Sequence, residues 1–139
     1  MAETSSIFVD SAGIYAVIDE EDRFHREALD TYDSLVGVGR ELLITSYTFI
    51  ETIALVERRL GFDAVADLMR RVQTHRIGVV WIDDATHWEV WRQYAGNRAT
   101  RLNFVDWTTV VLAQRMGAPI FTFDGGFAEA GFAVLPEED

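Results

Sequence analysis

The sequence contains no cysteine and no lysine, and each absence excludes whole classes of protein. Without cysteine there can be no disulfide scaffold, no thiolate zinc site and no cysteine nucleophile. Without lysine there can be no P-loop, no Schiff-base chemistry and no protein-kinase site. The apolar runs are also far shorter than the roughly 20 residues that a membrane-spanning helix needs, and no signal sequence is recognisable at the start. We therefore expect a cytoplasmic protein.

The charge of the chain is one-sided, because 12 arginines stand against 23 aspartates and glutamates and the formal net charge is −11. A chain of this charge repels nucleic acid unless cations gather locally. The remaining composition is typical of a folded protein, with 49% hydrophobic and 12% aromatic residues over 139 positions. This length and hydrophobic content predict one domain that spans residues 1–139.

Five short, continuously apolar runs alternate with longer segments of helical periodicity. Such runs suit the strands of a parallel sheet that is covered on both faces. Their order predicts an α/β fold, a three-layer α/β/α sandwich with a mainly parallel sheet of four to five strands. The predicted strands cover residues 6–9, 42–45, 78–82, 119–123 and 132–135. The predicted helices cover residues 13–18, 23–36, 46–60, 62–75, 85–95 and 103–116.

Four acidic residues occupy unusual places in this predicted fold. Asp10 ends the first strand, and Asp124 follows the fourth. Asp106 lies in the first turn of the last long helix, and Glu51 lies among apolar residues of an earlier one. Ligand sites in open α/β sheets lie outside the carboxyl ends of the strands. We therefore expect the topology to bring the three aspartates to one edge of the sheet, with Glu51 reaching in from its helix.

Each of these acids also has a structural explanation when it is considered alone. Asp10 can cap the helix that follows it, and Asp124 can belong to an ordinary Asp-Gly turn. Asp106 suits the third position of a helix that Asn103 caps. Glu51 can close a capping box with the threonine three residues before it.

Carboxylates that gather at one edge repel one another unless a divalent cation lies among them. Because the chain has no cysteine and no histidine near these acids, an all-oxygen site selects Mg²⁺ or Mn²⁺ over zinc. One such ion, or two about 4 Å apart, can activate water and stabilise the leaving oxygen of a phosphodiester. The acids therefore favour metal-dependent phosphodiester chemistry.

In four acidic motifs the chain resembles the PIN-domain nucleases and, among them, the VapC-type toxins of type II toxin–antitoxin systems. The motifs are Phe8-Val9-Asp10-Ser11, Thr45-Ser46-(x)4-Glu51, Asn103-Phe104-Val105-Asp106 and Thr122-Phe123-Asp124-(x)2-Phe127. The resemblance covers essentially the whole chain, in order and in spacing. It implies a PIN-like fold and a metal-dependent endoribonuclease that cleaves single-stranded or structured RNA. It also implies a homodimer and a cognate antitoxin that silences the enzyme.

The resemblance also implies roles for individual residues. Asp10, Glu51, Asp106 and Asp124 correspond to the catalytic quartet that holds Mg²⁺ or Mn²⁺. Ser11 and Thr122 match the small hydroxyl residues that stand beside the acids.

Other residues offer substrate or partner contacts, each with a simpler alternative. Arg98 and Arg101 lie in a loop that leads into the Asp106 helix, where they can hold RNA phosphate or merely be solvated. Trp88 and Trp91 are three residues apart on one helix face, and we expect them in core or dimer packing rather than in base stacking. We expect the dimer to form through the helices between residues 24 and 68, beside a groove for an antitoxin segment.

Two competing functions stay open at this point. A catalytically silent PIN-like interaction module would work only through protein contacts, and the intact set of four acids argues against it. A metal-dependent DNA nuclease or phosphatase would use the same carboxylates. No sequence motif identifies residues that would recognise the 2′-hydroxyl of RNA. The preference for RNA over DNA therefore rests on the resemblance alone.

Overall fold

The computed structural model describes residues 6–74 and 76–137. A five-stranded sheet runs through this part of the chain, and all its strand pairs are parallel. The strands are β1 Ser6–Val9, β2 Glu41–Thr45, β3 Ile77–Val80, β4 Ile120–Phe121 and β5 Val134–Leu135. Their order across the sheet is β3-β2-β1-β4-β5, so β1 lies at the centre with β2 and β4 beside it.

Seven helices connect or follow these strands in the described ranges. They are α1 Ser11–Ile18, α2 His25–Gly37, α3 Ser46–Leu60, α4 Phe62–Gln73, α5 Asp84–Gly96, α6 Phe104–Met116 and α7 Gly125–Glu129. None of the described helices is long and apolar enough to cross a membrane.

Alternate residues of the central strands face opposite sides of the sheet and build two cores. Ile7 and Val9 of β1 pack with residues of helices α1 to α4, whereas Phe8 between them packs with residues of α5 and α6. On β2, Leu43 faces the same side as Phe8, while its two neighbours face the other. Because both faces of the strands are buried, their sequences read as continuous apolar runs. The predicted three-layer α/β/α sandwich is confirmed.

The predicted bounds differ from the observed ones mainly at the strand ends. The strand predicted at 119–123 is reduced to β4, because the backbone N–H of Asp124 bonds the Thr122 hydroxyl at 2.9 Å and the chain turns into α7. The strand predicted at 78–82 is β3, which ends at Val80 before the chain reaches the Asp83 cap of α5. The helix predicted at 62–75 is α4, and His75 itself lies outside the described residues.

Helix α1 approaches the backbone of β4 unusually closely at Gly13. A Cβ atom at this position would lie 2.4 Å from the carbonyl oxygen of Phe121, which is within van der Waals overlap. The same carbonyl accepts a hydrogen bond from the backbone N–H of Asp10 at 3.2 Å. The absent side chain therefore lets the start of α1 lie against the end of β4, which brings Asp10 beside the residues that follow β4.

We expect Gly13→Ala to destabilise the protein by about 2 kcal/mol or more, because the new methyl group meets a backbone atom that cannot rotate away. Gly37→Ala is the matched control, since Gly37 also lies in a helix and a Cβ there has nothing within 4 Å. Urea unfolding of both variants measures the difference. Equal stability of the two variants would contradict the close approach.

Candidate functional site

Three aspartates from distant parts of the chain meet at the carboxyl edge of the sheet. Asp10 follows β1 and caps α1, Asp106 lies in the first turn of α6, and Asp124 follows β4 and caps α7. Each offers a carboxylate oxygen, and these three oxygens lie within 4.8 Å of one another. Because β1 and β4 are parallel neighbours, the residues that follow them emerge side by side.

Asp10 is the most constrained of the three, with an exposed fraction of 2%. Its Oδ1 accepts a hydrogen bond from the backbone N–H of Gly13 at 2.9 Å, and its Oδ2 accepts one from the Thr122 hydroxyl at 2.8 Å. Burial raises the pKa of this carboxyl to about 7. The two hydrogen bonds oppose the rise, and the charges of Asp106 and Asp124 add to it. Asp10 therefore caps α1, as one explanation of it predicted. Capping alone does not explain why the carboxylate is buried, since a helix cap can be exposed to solvent.

The hydroxyl of Thr122 connects two of the acids. It donates to Asp10, and it accepts a hydrogen bond from the backbone N–H of Asp124 at 2.9 Å. Asp124 in turn accepts at Oδ1 from the backbone N–H of Gly126 at 2.9 Å. One small side chain, itself buried, thus fixes the separation between the end of β1 and the start of α7.

Asp106 serves as a helix cap and also faces the other acids. Its Oδ2 accepts from the backbone N–H of Asn103 at 2.9 Å, while the Asn103 side chain accepts from the backbone N–H of Asp106 at 2.8 Å. The expected capping by Asn103 is confirmed. Burial raises the pKa of Asp106 to about 6, and the charges of Asp124 and Glu51 add to the rise. The cap occupies Oδ2, which leaves Oδ1 for another ligand.

Glu51 stands beside this trio rather than inside it. Helix α3 is capped by Thr45, whose hydroxyl accepts from the backbone N–H of Thr48 at 3.1 Å. Position N3 is therefore Thr48, and the capping-box explanation of Glu51 is wrong because the helix begins too early for it. Glu51 makes no hydrogen bond or ion pair among the described residues. Its charge acts on Asp106, so the carboxylate lies near the cluster.

The other predicted residues lie at different distances from the acids. Ser11 is the first residue of α1 and lines a neighbouring cavity of about 320 Å³, together with Tyr15 and Arg59. Arg98 is exposed and has no ion-pair partner within residues 6–74 and 76–137. Arg101 forms an exposed ion pair with Glu129, with nitrogen–oxygen distances of 2.9 and 2.8 Å.

Arg101 nevertheless lies close to the acidic edge. Its guanidinium is 4.0 Å from where a Cβ of Gly125 would stand, and Gly125 directly follows Asp124. Among the four predicted polar contacts outside the acids, Thr122 therefore joins the cluster and Arg101 borders it.

The expectation of core packing is wrong for Trp88 and Trp91, whereas their packing in a dimer stays a prediction. Trp88 is 56% exposed and Trp91 is 49% exposed, whereas Trp107 is buried. Helix α5 turns Thr86 and Val90 inward instead. The three-residue spacing of the tryptophans correctly placed them on one face of a helix, but it could not tell which layer, if any, covers that face.

The donor set of the cluster fits a hard divalent cation. All the converging atoms are carboxylate oxygens, and none of the ion pairs among the described residues involves them. Burial raises the pKa values of Asp10 and Asp106, and no arginine or histidine among the described residues opposes the rise. Oxygen-only sites of this kind suit Mg²⁺, Mn²⁺ or Ca²⁺.

Comparison with known proteins agrees with this architecture. The family model described as the PIN domain matches residues 7–133 of the chain. No curated protein sequence matches the chain significantly.

Several solved structures have a similar fold. VapC20 of Mycobacterium tuberculosis, described as a toxin that cleaves the sarcin–ricin loop, matches with a TM-score of 0.79 and 22% identity over 91% of this chain and 96% of that chain. A DNA-bound VapBC of Salmonella typhimurium matches with a TM-score of 0.63 and 17% identity, over 93% of this chain and 96% of that chain. FitAcB of Neisseria gonorrhoeae matches with a TM-score of 0.63 and 20% identity, over 92% and 95%.

The raised pKa of Asp10 predicts a pH dependence of stability in the metal-free protein. The carboxyl has an ordinary pKa of 3.8 when unfolded and about 7 when folded, so between these values the folded state holds a proton that the unfolded state has lost. Stability contributed by that proton is complete below about pH 4 and is lost as the pH rises to about 7. Asp10→Asn keeps the cap and should be much less sensitive to pH in this window.

Thermal unfolding of the wild type and Asp10→Asn from pH 4.5 to 7.5, in a chelating buffer, measures this difference. Parallel melting-temperature profiles of the two proteins would contradict it.

Proposed function

The chain belongs to the PIN-domain family, and on this basis we propose that it is a metal-dependent endoribonuclease, the toxin of a type II toxin–antitoxin pair. The single observation that carries the proposal is that carboxylate oxygens of Asp10, Asp106 and Asp124 lie within 4.8 Å of one another. One of the three, Asp10, is buried, and no cationic side chain in the described part of the chain pairs with it. The similarity to VapC20, a toxin that cleaves the sarcin–ricin loop, supports RNA as the substrate. We propose single-stranded or structured RNA as the substrate class.

Asp10, Asp106 and Asp124 would hold Mg²⁺, or Mn²⁺ in its place. A divalent cation held there would supply positive charge to the phosphodiester and help to activate the attacking water. Asp10 gives up the proton that burial otherwise favours, because the cation supplies the missing positive charge. Thr122 keeps Asp10 and Asp124 at a fixed separation, and the Asn103 cap keeps Asp106 in place.

Glu51 has a separate role in this proposal. Its carboxylate has no hydrogen-bond partner among the described residues, although Asp10 and Asp106 each have one or more. A free carboxylate beside the cluster can accept a hydrogen bond from the attacking water, or complete the metal site as a fourth acid. In both cases Glu51 is needed for cleavage more than for folding. Ser11 remains an auxiliary hydroxyl beside this site.

The RNA reaches the acids past the loop that precedes α6. Arg98, which is exposed, and Arg101, which borders Gly125, provide the phosphate contacts. Arg101 shares its charge with Glu129, so its contribution is smaller than that of a free arginine. With two such contacts at most, RNA affinity depends only weakly on salt.

The chain acts as a homodimer and is silenced by an antitoxin. The similarity to toxin–antitoxin complexes, among them a DNA-bound VapBC, supports an antitoxin partner. Ile50, Leu60 and Phe62 are exposed apolar side chains on α3 and α4, within the range where we expect the dimer. Covering such side chains is a usual function of a subunit interface.

We expect Mg²⁺ to raise the melting temperature of the wild type, because it binds the folded protein and relieves carboxylate repulsion. Asp106→Asn should lose most of this rise. Asp63→Asn is the matched control, since Asp63 also lies in the first turn of a helix but outside the cluster. An equal Mg²⁺-induced rise in Asp106→Asn and in the wild type would place the ion elsewhere.

We expect Glu51→Gln to lose cleavage of a mixed pool of RNA and single-stranded DNA by about 100-fold or more, with an unchanged melting temperature. Glu57→Gln, an exposed position on the same helix, is the control and should keep full activity. Cleavage is followed on gels with Mg²⁺ and with a chelator. A fully active Glu51→Gln would remove this residue from catalysis, and cleavage of the DNA alone would replace the ribonuclease by a DNA nuclease.

A further inference from the structure

Six aromatic or imidazole rings on α3, α5 and α6 form a continuous cluster. Neighbouring rings are in contact along the whole set, with centroid distances between 4.9 and 6.4 Å. We call this set the aromatic shelf. Its members are Tyr47, His87, Trp88, Trp91, Tyr94 and Phe104.

The inner end of the shelf is built on the same helical turns as the acids. Tyr47 lies one turn before Glu51 on α3, and residues four apart share a helix face. Phe104 begins α6 two residues before Asp106, and its ring centroid lies 6.4 Å from that of Tyr47. The hydroxyl of Tyr47 lies 2.6 Å from Nδ1 of His87, at hydrogen-bond distance, which ties α5 to α3. Two shelf residues therefore lie within about one helical turn of Glu51 and Asp106 along α3 and α6.

The outer end of the shelf is open to solvent. The Trp88 ring meets His87 edge-on at 4.9 Å, and the Trp91 ring lies 6.1 Å from Tyr94. About half of each tryptophan is exposed. Large aromatic side chains bury 150–250 Å² each when they are covered, so these two half-exposed indoles, three residues apart on α5, leave apolar ring surface for a ligand.

The charges on α5 show what this surface can bind. Helix α5 is capped by Asp83 and begins with Asp84, and its arginine, Arg92, is paired with Glu89 at 2.6 Å. The described part of α5 thus offers no unpaired guanidinium to a phosphate. Nucleobases need none, because they stack on aromatic rings through neutral π-faces. The shelf suits the bases of a nucleic acid rather than its backbone.

We infer that the aromatic shelf is a nucleobase-stacking subsite that holds unpaired bases beside the scissile phosphodiester. The inference rests on the proposed ribonuclease function, since the position of Tyr47 and Phe104 on the helices that carry Glu51 and Asp106 is what favours RNA over other occupants. Stacking requires bases that are free of a duplex, so the shelf selects single strands and loops. It also adds binding energy to the few phosphate contacts that a chain of charge −11 makes.

The test compares the wild type with Trp88→Ala/Trp91→Ala in binding a ten-nucleotide single-stranded RNA, in Ca²⁺ and with the RNA checked for integrity. We expect the affinity to fall about 10- to 100-fold, because each stacked base contributes strongly. A ribose–phosphate oligomer of equal length without bases should bind both proteins equally. The variant Trp88→Phe/Trp91→Ala keeps a ring at position 88 and should bind the RNA more tightly than Trp88→Ala/Trp91→Ala. Met116→Ala, an exposed apolar residue about 18 Å from Phe104 along α6 by helix rise, should bind like the wild type.

The outcomes separate this inference from the proposed function. If the wild type cleaves the RNA and the double variant has an unchanged KM and affinity, the shelf is not a subsite, although the nuclease assignment stands. If the double variant loses equal affinity for the oligomer without bases, the rings act through the fold or the phosphate path, and the inference fails. If the double variant binds RNA normally but sediments as a monomer where the wild type is a dimer, the shelf is a subunit interface. If the wild type neither binds nor cleaves RNA, both proposals fail.

Discussion

The rest of the site depends on the burial of one carboxylate. Asp10 is 2% exposed, and within the described residues no cation balances it. Three local features keep it in that position: the close approach at Gly13, the Thr122 hydroxyl, and the helix that Asp10 itself caps. Together they hold the carboxylate of Asp10 at the edge of the sheet where Asp106 and Asp124 also lie. A buried charge without a partner is costly, which is why a cation is the natural completion of this arrangement.

Helix α3 meets α6 through a seam of threonines as well as through the ring contact of Tyr47 with Phe104. The hydroxyls of Thr45 and Thr108 lie 2.8 Å apart, and those of Thr48 and Thr109 lie 3.3 Å apart. These buried contacts hold α3 against α6. Glu51, one turn further along α3, is thereby placed where its charge raises the pKa of Asp106. Because small polar side chains let the helices approach closely, the seam couples the position of α3 to that of the acids.

The sequence predicts local features, such as the bounds of helices, but not the contacts between residues that are far apart in the chain. The bounds of α3 agree at both ends because Thr45 and Gly61 are strong helix boundaries, and the same helix start shows that the capping box of Glu51 could not exist. The hydrogen bond from Thr122 to Asp10 joins residues 112 positions apart. The motif around Thr122 therefore predicted a hydroxyl beside the acids, but it could not identify Asp10 as the partner. The spacing of Trp88 and Trp91 identified their helix face but not the layer that covers it, so the sequence could not decide between packing in the core and packing in a dimer.

The central claim is that the three aspartates together hold a divalent cation. Anomalous diffraction from crystals grown with Mn²⁺ tests it most directly, because the scattering locates the ion without reference to activity. The account predicts a manganese peak in contact with carboxylate oxygens of Asp10, Asp106 and Asp124, at about 2.0–2.2 Å as for other small divalent cations. A peak at another acidic surface, or ordered crystals with Mn²⁺ present and no peak among these carboxylates, would contradict it.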